Sequence, residues 1–569
     1  MSVQFVTPIK IIESQIPEIA VASSRNEAYG ELRYTPFHWR ARRPSGTMRV
    51  MIAASLAHDW KEFWGILRGK EGRRYTVLDP MAGNGTTARE AARMGLVGIA
   101  GDINRVACIN MAASYQAIDP QDIEEIKGAL PPEVFDLYST RCEICHRDSP
   151  ITMRIWGTIL ACPNGHEFIG APEMWEHHPL RTRSPYGHMH MSRTEICPVC
   201  GSRSRFSLED RGYVPILFRY RCPVHGRAEK IPDEEDVRKL SLAAELDESC
   251  PGLDWAIPSD WREFTTRGFK TARDLLPPGT VFFLHHAIAA CRGKEYQTKA
   301  LLHLAETIRS CCRISTMTGN TFTPYSGKAI FHPHTVDLSP TSGMGRTWFS
   351  LLRRSAGARF SVINLNAAGF IPIASRSVDA VVTDPPYYDY ISYSSSAYFA
   401  NLIMGIQQEP INEVGGQRFA ESMTSVFREC FRVLKPGGVI SFTFRHPAPK
   451  AWQELGQAIL QAGGVICAVH SAQNDLDMML SRKIAARDAI IVCARREERA
   501  LRQVSLDDMP EFDIVDIQGM IPASVTAIFV NSLLDLARLP QAIEETIKRV
   551  DLKEREIYYQ PTLFEHDRR

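Results

Sequence analysis

The segment Asp384-Pro385-Pro386-Tyr387 places a carboxylate, two prolines and an aromatic ring directly after a short apolar run, residues 378–383. Two successive prolines fix the backbone φ angle and supply carbonyls without competing N–H groups. The Asp384 carboxylate and the Pro385 carbonyl can accept both N–H groups of a planar aromatic amine and localise its lone pair, while Tyr387 stacks on the ring. The pattern favours methyl transfer to such an amine, with Asp384 or solvent taking the proton. Alone, it is also typical of a proline-rich turn.

A glycine turn between a strand-like and a helix-like run occurs much earlier in the chain. The run 75–79 is β-branched, and Thr86 stands where a helix would begin. This geometry brings backbone N–H groups close to a cofactor. The residues that we assign to cofactor binding in this unit are Asp79, Pro80, Ala82, Gly83, Gly85, Thr86 and Thr87.

A second short run, residues 96–102, ends in Asp102 and is followed by Ile103. An acid at roughly this distance (~20 residues) from a glycine turn reaches ribose hydroxyls in a β-α-β unit. The turn lacks both the G-x-x-x-x-G-K pattern and the third glycine of the dinucleotide fingerprint. We therefore predict a nucleoside-containing cofactor without a pyrophosphate, contacted by Asp102 and Ile103.

The cysteines are concentrated in one part of the chain. Six of the 14 lie between residues 142 and 222, in pairs or next to a histidine. C-x-x-C and short Cys-to-His turns are typical of zinc knuckles, and two knuckles complete a tetrahedral site. We predict two structural Zn²⁺ sites, with pairing across the two sets left open. The first set is Cys142, Cys145, Cys162 and His166, and the second is Cys197, Cys200, Cys222 and His225.

Arginines and aromatic residues alternate between and around these knuckles. They suit phosphate and base contacts, although ordinary surface arginines on a structural ribbon would give the same pattern. They are Arg181, Arg183, Arg193, Arg203, Arg205, Arg211, Arg219 and Arg221, with Trp175, Tyr186, Phe206 and Tyr220.

Apolar strands that alternate with helical runs must position these groups. After the Asp384 segment, a helix ending at residues 434–438 precedes a strand at 439–444. A helix at 451–462 then leads to strands at 464–469 and 488–493. Further helices are predicted at 299–313, 523–537 and 539–550. The alternation predicts an α/β fold, in which ligands bind at the carboxyl ends of the strands.

Composition narrows the class of protein. The chain has 569 residues, with 66 basic and 65 acidic side chains and a formal net charge of +1. This balance excludes a globally basic nucleic-acid coat, but it conceals basic blocks at 29–50 and 141–230 and an acidic block at 231–260. No run approaches 18 apolar residues and the amino terminus lacks a signal-peptide pattern, so we expect a cytoplasmic chain without a membrane partner.

The two chemical motifs together resemble those of class I, S-adenosyl-L-methionine-dependent DNA amino-methyltransferases. Residues 79–87 resemble the family's DPFxGxGTT cofactor loop, and residues 384–387 its catalytic DPPY. The chain is similar, more narrowly, to adenine-specific methylases that carry a long Cys-rich insert and are found beside restriction or phage-defence genes. Restriction or defence proteins are therefore possible partners. The resemblance covers most of residues 30–500.

The resemblance implies further roles. Phe37 lies in a segment similar to the one that closes over the methionine end of the cofactor, and Asn366 and Ala367 end a third strand (361–367) that contacts adenine. Asn366 stands where the family has an acid. The resemblance also implies a Rossmann-like seven-stranded sheet with the last strand inserted antiparallel. His446 is expected to be structural.

The long separation between the two motifs implies an insert between the second and third strands. Five regions follow from this arrangement. They are 1–135 (first part of the sheet), 136–230 (zinc-ribbon insert), 231–355 (mixed, helical, candidate target recognition), 356–500 (second part of the sheet) and 501–569 (helical tail).

These observations favour methylation of a flipped DNA base, with adenine N6 as the target. The cytosine enzymes more often carry Ser at the position of Asp384. Three alternatives remain: a DNA cytosine-N4 methyltransferase, an RNA guanine-N2 methyltransferase, and a non-catalytic zinc-ribbon subunit that binds nucleic acid.

Overall fold

The structure is a computed structural model. It describes residues 36–37, 39, 43–70, 75–116, 118–170, 189–190, 194–196, 199–205, 212–257, 269–313, 316–318, 321–323, 334–341, 360–386, 393–406, 417–446, 448–472, 488–498 and 520–549.

The α-helices of this part of the chain are α1 (Ser45–Leu56), α2 (Trp60–Leu67), α3 (Thr86–Arg93), α4 (Arg105–Ala113), α5 (Pro120–Gly128), α6 (Pro132–Asp136), α7 (Glu234–Ser249), α8 (Thr280–Cys291), α9 (Gln297–Cys311), α10 (Tyr393–Met404), α11 (Gln417–Val433), α12 (Pro449–Gln461), α13 (Met520–Asn531) and α14 (Leu539–Arg549).

The strands of the same residues are β1 (Thr76–Asp79), β2 (Val97–Asp102), β3 (Ser139–Arg141), β4 (Asp148–Ala161), β5 (Glu167–Gly170), β6 (Met189–His190), β7 (Thr194–Ile196), β8 (Arg203–Arg205), β9 (Tyr213–Cys222), β10 (Gly226–Lys230), β11 (Thr316–Thr318), β12 (Thr321–Thr323), β13 (His334–Leu338), β14 (Ser361–Asn364), β15 (Val378–Thr383), β16 (Leu434–Phe444), β17 (Gly464–Ala472) and β18 (Asp488–Arg495).

A seven-stranded, mostly parallel sheet forms the centre of an α/β fold. Its strand order is β14-β2-β1-β15-β16-β18-β17. The strands from β14 to β16 run parallel, so their carboxyl ends meet at one edge. β18 lies between β16 and β17 and is antiparallel to both, as predicted. This reversal brings the first residue of β18, Asp488, to the edge at which β15 and β16 end.

Both faces of this sheet are covered, because adjacent strand residues point to opposite sides. Val77 and Val382 pack with α1 and α2 on one face. Leu78 and Val381 pack with α11, α12 and α13 on the other, around the fully buried Trp452. Burial on both faces explains why these strands are continuous apolar runs.

The carboxyl-terminal helices complete the second face. Asn531, at the end of α13, donates to the Ile466 carbonyl (2.8 Å) and accepts from the Ile466 N–H (2.9 Å) on β17. The prediction of one continuous helix at 523–537 is wrong. The helix α13 ends at Asn531, and Leu533 has a φ of +56°. A short 3-10 turn at Leu536–Arg538 then leads into α14.

The residues between β2 and β14 build a second sheet and a helical layer. In the second sheet, β4 pairs with β3, β5, β9 and β13. Because β13 comes from the region 231–355, this sheet joins both predicted parts of the insert. Helices α8, α9 and α10 share one apolar core with α4.

Among the residues described, no helix has both the length and the apolar character needed to cross a membrane.

Candidate functional site

The glycine turn adopts the conformation that its sequence predicts. Gly83 and Gly85 have φ angles of +50° and +73°, a region that favours glycine. Gly85 caps the amino terminus of α3, so the helix begins at Thr86 as expected. A Cβ atom at Gly83 would lie 2.8 Å from the indole Nε1 of Trp39. Trp39 therefore packs directly against the turn.

Asp102, at the end of β2, holds this turn in place. Its Oδ2 accepts the Gly83 N–H at 2.8 Å, and its Oδ1 accepts the Asn104 N–H at 2.7 Å. Burial raises the pKa of Asp102 to about 6, against the lowering effect of these two hydrogen bonds. Ile103 beside it is half exposed, whereas the buried Asn104 Nδ2 has no acceptor among the described residues. The edge thus combines an apolar surface with a spare buried donor.

Asp79 links the glycine turn to the strand that carries Asp384. Its Oδ1 accepts the Thr383 hydroxyl at 2.6 Å and the Met81 N–H at 3.2 Å. Desolvation by burial raises the pKa of Asp79 to about 7, although hydrogen bonds from Thr383 and Thr87 oppose the shift. β1 and β15 are neighbours, so this contact joins adjacent strand ends.

We expect the Asp79→Asn variant to lose part of the pH dependence of stability. The carboxyl ionises near pH 4 when unfolded and near pH 7 when folded, so unfolding releases a proton between these values. Its contribution to the free energy of unfolding is therefore complete below pH ~4 and falls by about 1.4 kcal/mol per pH unit towards pH 7.

Urea unfolding at several pH values between 4.5 and 7 measures this slope, with ~1 pH unit between points. Asn resembles the protonated carboxyl, so the slope should be smaller in Asp79→Asn. Asp119→Asn removes one negative charge at an exposed helix cap and controls for the change in net charge. Equal slopes in the wild type and Asp79→Asn would contradict the prediction.

Asp384 lies at the carboxyl end of β15, and both of its oxygens are engaged. Oδ2 accepts the Arg43 Nε–H at 2.6 Å, and Oδ1 accepts a short hydrogen bond from the Thr443 hydroxyl. Pro385 is buried and Pro386 is exposed. Tyr387 lies outside the described residues, so its stacking role stays a prediction.

Sequence reasoning missed Arg43 and Thr443. Arg43 also contacts Asp488, with 3.3 Å between Nη1 and Oδ2, and Arg445 lies 3.4 Å from the other oxygen of Asp488. The signal that the sequence offered for Arg43 is its place in the basic block at 29–50. No local pattern predicts that it meets Asp384.

Phe37 is fully buried and lies in the core that includes α4 and α9. Its N–H donates to Asn110 Oδ1 and its carbonyl accepts from Asn110 Nδ2, both at 3.0 Å. The Pro36 carbonyl lies 3.3 Å from His303 Nδ1 on α9. The segment before the first strand is therefore anchored by both the central fold and the insert, and contact of Phe37 with a cofactor stays a prediction.

The third strand ends earlier than predicted. β14 stops at Asn364, which pairs in register with Asp102 and donates to the Asp102 carbonyl at 2.9 Å. Asn366 is exposed and its Oδ1 caps a turn at Ala368, while Ala367 is buried. Asn364, which the sequence analysis did not single out, is the side chain that lies against Asp102.

His446 has the structural setting expected of it. The His446 imidazole Nδ1 accepts the Ala448 N–H at 3.1 Å, and the His446 backbone carbonyl accepts the Trp452 indole N–H at 2.9 Å.

Four metal-type ligands from both predicted sets meet at one end of β4. Cys142, Cys145, Cys222 and His225 place their ligand atoms within 4.8 Å of one another. The distances from Cys142 Sγ and from Cys222 Sγ to His225 Nδ1 are 3.6 Å. A hydrogen bond from the Cys145 backbone lowers the pKa of Cys142 to about 5, which favours the thiolate. This cluster can hold a metal ion.

Cys162, His166 and Cys200 form a second cluster of the same kind. Cys162 Sγ lies 3.4 Å from His166 Nδ1 and 3.9 Å from Cys200 Sγ. Cys197, the predicted fourth ligand, lies outside the described residues. This cluster too can hold a metal ion.

The grouping of these ligands into sets 142–166 and 197–225 is wrong. Cys145 and Cys162 flank a strand of 14 residues, which separates them by about 45 Å. β4 and β9 run antiparallel, so Cys222 at the end of β9 returns to the start of β4. The two clusters are therefore nested along the sequence, an arrangement that the sequence had left open.

A groove of about 1030 Å³ lies on the second sheet near the first cluster. Arg221 and Arg227 line it, and they stand directly opposite each other on β9 and β10. Like charges in this position repel each other. Neither guanidinium pairs with an acidic group among the described residues, so the pair could accept an anion.

The remaining eight cysteines are all buried, as is usual for small apolar side chains in a core. They are Cys108, Cys250, Cys291, Cys311, Cys312, Cys430, Cys467 and Cys493.

In comparisons with known proteins, no protein-family model and no curated protein sequence matches the chain.

Proposed function

We propose that the chain is a DNA methyltransferase that transfers a methyl group from S-adenosyl-L-methionine to an exocyclic base amine. The observation that carries this proposal is the meeting of Asp79, Asp102 and Asp384 at one edge of the parallel sheet. Asp384 ends the strand next to β1, and Asp79 and Asp102 flank the glycine turn. Open α/β sheets bind ligands at this edge.

The residues at the glycine turn fit a nucleoside cofactor. The turn and Asp102 would hold the ribose side, and the half-exposed Ile103 offers an apolar surface for a base. The buried Asn104 Nδ2 supplies a donor that the described protein does not use. When bound, S-adenosyl-L-methionine supplies an electrophilic methyl group.

The chain's own residues would prepare the target amine. Asp384 and the Pro385 carbonyl accept its N–H groups, which localises the nitrogen lone pair for attack. Arg43 and Thr443 contact one oxygen of Asp384 each, and a carboxylate can accept about four hydrogen bonds in all. The base must leave the duplex to reach this edge, and Tyr387 is proposed to stack on it.

We further propose that both Cys/His clusters hold structural Zn²⁺ as zinc ribbons. With Zn–S bonds of ~2.3 Å, tetrahedral ligands stand about 3.7 Å apart. The Cys145 and Cys222 sulfurs, at 3.6 Å, fit this spacing. Four protein ligands leave no open position, so the metal would stabilise the insert and take no part in the chemistry.

The insert is proposed to contact the DNA backbone through Arg221 and Arg227. We expect the double variant Arg221→Ala/Arg227→Ala to bind duplex DNA more weakly and to reduce the slope of log K against log salt by roughly 2. Titrations at several salt concentrations measure both effects. Lys127→Ala removes a half-buried lysine that does not line the groove and pairs with Glu124 at 2.7 Å, so it should leave the slope unchanged. A wild-type slope in the double variant would contradict the contact.

Adenine N6 is preferred as the target, because Asp384-Pro385-Pro386-Tyr387 resembles the adenine enzymes. Cytosine N4, guanine N2 of RNA and a non-catalytic binding role remain alternatives. The deciding experiment incubates purified chain with labelled S-adenosyl-L-methionine and either DNA or RNA, followed by nucleoside identification. Labelled N6-methyladenine in DNA supports the proposal. Label only in guanosine of RNA, or nucleic-acid binding without any transfer, would refute it.

A further inference from the structure

The guanidinium of Arg43 lies between two carboxylates that come from different strands. Its Nε is 2.6 Å from Asp384 Oδ2, and its Nη1 is 3.3 Å from Asp488 Oδ2. The side chains of Arg43 and Asp488 are 8% and 1% exposed, and that of Asp384 is 14% exposed. Such shielded charges interact more strongly than surface charges. Two acids at once therefore determine where Arg43 lies.

Asp488 is also held by a second arginine. Asp488 Oδ1 lies 3.4 Å from Arg445 Nη1, so the four charges alternate in sign. Arg445 follows β16 and Asp488 begins β18. They meet because β18 is antiparallel to β16. The sheet topology thus supplies a rigid support for Arg43.

We propose that Arg43 is a positioning residue that orients the Asp384 carboxylate towards the target amine, and that Asp488 acts by orienting Arg43. This inference rests on the proposed function. Arg43 and Thr443 use two of about four acceptor positions of the carboxylate. Because one contact falls on each oxygen, the two together fix the plane of the carboxylate.

Arg43 lies in the same short segment of the chain as Trp39. Trp39, four residues earlier, packs against Gly83 of the glycine turn. The same short segment therefore touches the turn proposed to hold the cofactor and the carboxylate proposed to hold the amine. Reacting groups must be aligned closely, since a displacement of ~1 Å can lower a rate about 100-fold.

The test compares kcat and cofactor affinity in Arg43→Gln, Arg43→Lys, Asp488→Asn and the double variant Arg43→Gln/Asp488→Asn. We expect Arg43→Gln to lower kcat about 100-fold while the dissociation constant of S-adenosyl-L-methionine stays within about threefold. Arg43→Lys should recover part of kcat, because lysine keeps the charge but not the two-sided geometry. The double variant should be no slower than Arg43→Gln, because Asp488 acts through Arg43.

Arg49→Gln is the matched control. Arg49 lies on α1, six residues from Arg43, and pairs with Glu90 on α3 (3.5 Å), so its replacement should leave kcat unchanged. A wild-type kcat in Arg43→Gln, or a double variant whose loss is the product of the single losses, would overturn the inference.

If Arg43→Gln does not fold, Arg43→Lys decides. A lower kcat with unchanged cofactor affinity then supports the inference, and a wild-type kcat overturns it. The two proposals can also fail separately. A wild-type chain without transfer overturns the proposed function and this inference together, whereas an active wild type with an equally active Arg43→Gln overturns the inference alone.

Discussion

Replacing Asp384 by alanine is expected to lower kcat of methyl transfer by roughly 1000-fold, the cost typical of losing one aligned hydrogen-bonding group. The affinity for S-adenosyl-L-methionine should change little, because the glycine turn is held by Asp102 and not by Asp384. Asp384→Asn should also be inactive. Its amide would present a donor where the carboxylate now accepts from Arg43 and Thr443.

Single-turnover transfer of a labelled methyl group to DNA measures the chemical step, and equilibrium binding measures cofactor affinity separately. Asp379→Asn provides a control on the same strand. Asp379 lies at the opposite end of β15, where it accepts from Thr76 N–H and pairs with Lys435, both at 2.8 Å. This variant should keep the wild-type kcat. Equal losses in both variants would indicate a damaged strand and would contradict a catalytic role for Asp384.

The second prediction with a large effect concerns the metal clusters. We expect the purified chain to contain two Zn²⁺, and the double variant Cys142→Ala/Cys222→Ala to retain one. Both cysteines belong to the first cluster. The variant Cys142→Ala/Cys162→Ala should retain none, because it removes a ligand from each cluster. Structural zinc binding is worth on the order of 10 kcal/mol, so either variant should also lose protease resistance in the insert.

Metal content per chain, measured by mass spectrometry, separates the two ways of grouping the ligands. If Cys142 and Cys162 shared one site, the stoichiometries of the two double variants would be exchanged. A double replacement of the buried Cys467 and Cys493, which belong to neither of the two clusters described above, should leave both ions bound. A wild-type chain without zinc would refute the structural role of the metal.

The central sheet was predictable because its strands are buried on both faces. The run 378–383 and the helix start at Thr86 agree with the structure to the residue. Errors arise where tertiary contacts end an element. β14 stops at Asn364 because this residue turns its side chain onto the carbonyls of Asp102 and Ile103. The Leu434–Gly438 stretch joins β16 because Leu434 pairs with Val378 across a bulge.

The sequence predicted some of the residues of the candidate site and not others. Asp79, Gly83, Gly85 and Asp102 lie in one continuous β-α-β unit, so local order alone brings them together. Arg43 is more than 300 residues from Asp384, and their contact depends on where α1 packs against the sheet.

By itself, the sequence determined the local units of this protein: the glycine turn, the acid that ends each strand, and each Cys-x-x-C or Cys-to-His knuckle. These groups lie within a few residues of one another, so short-range geometry is sufficient. Only the tertiary structure decided how such units combine. The antiparallel pairing of β4 with β9 joins Cys142 to Cys222, and the antiparallel insertion of β18 brings Asp488 to Arg43. These combinations depend on strand direction and register, which the separate motifs do not encode.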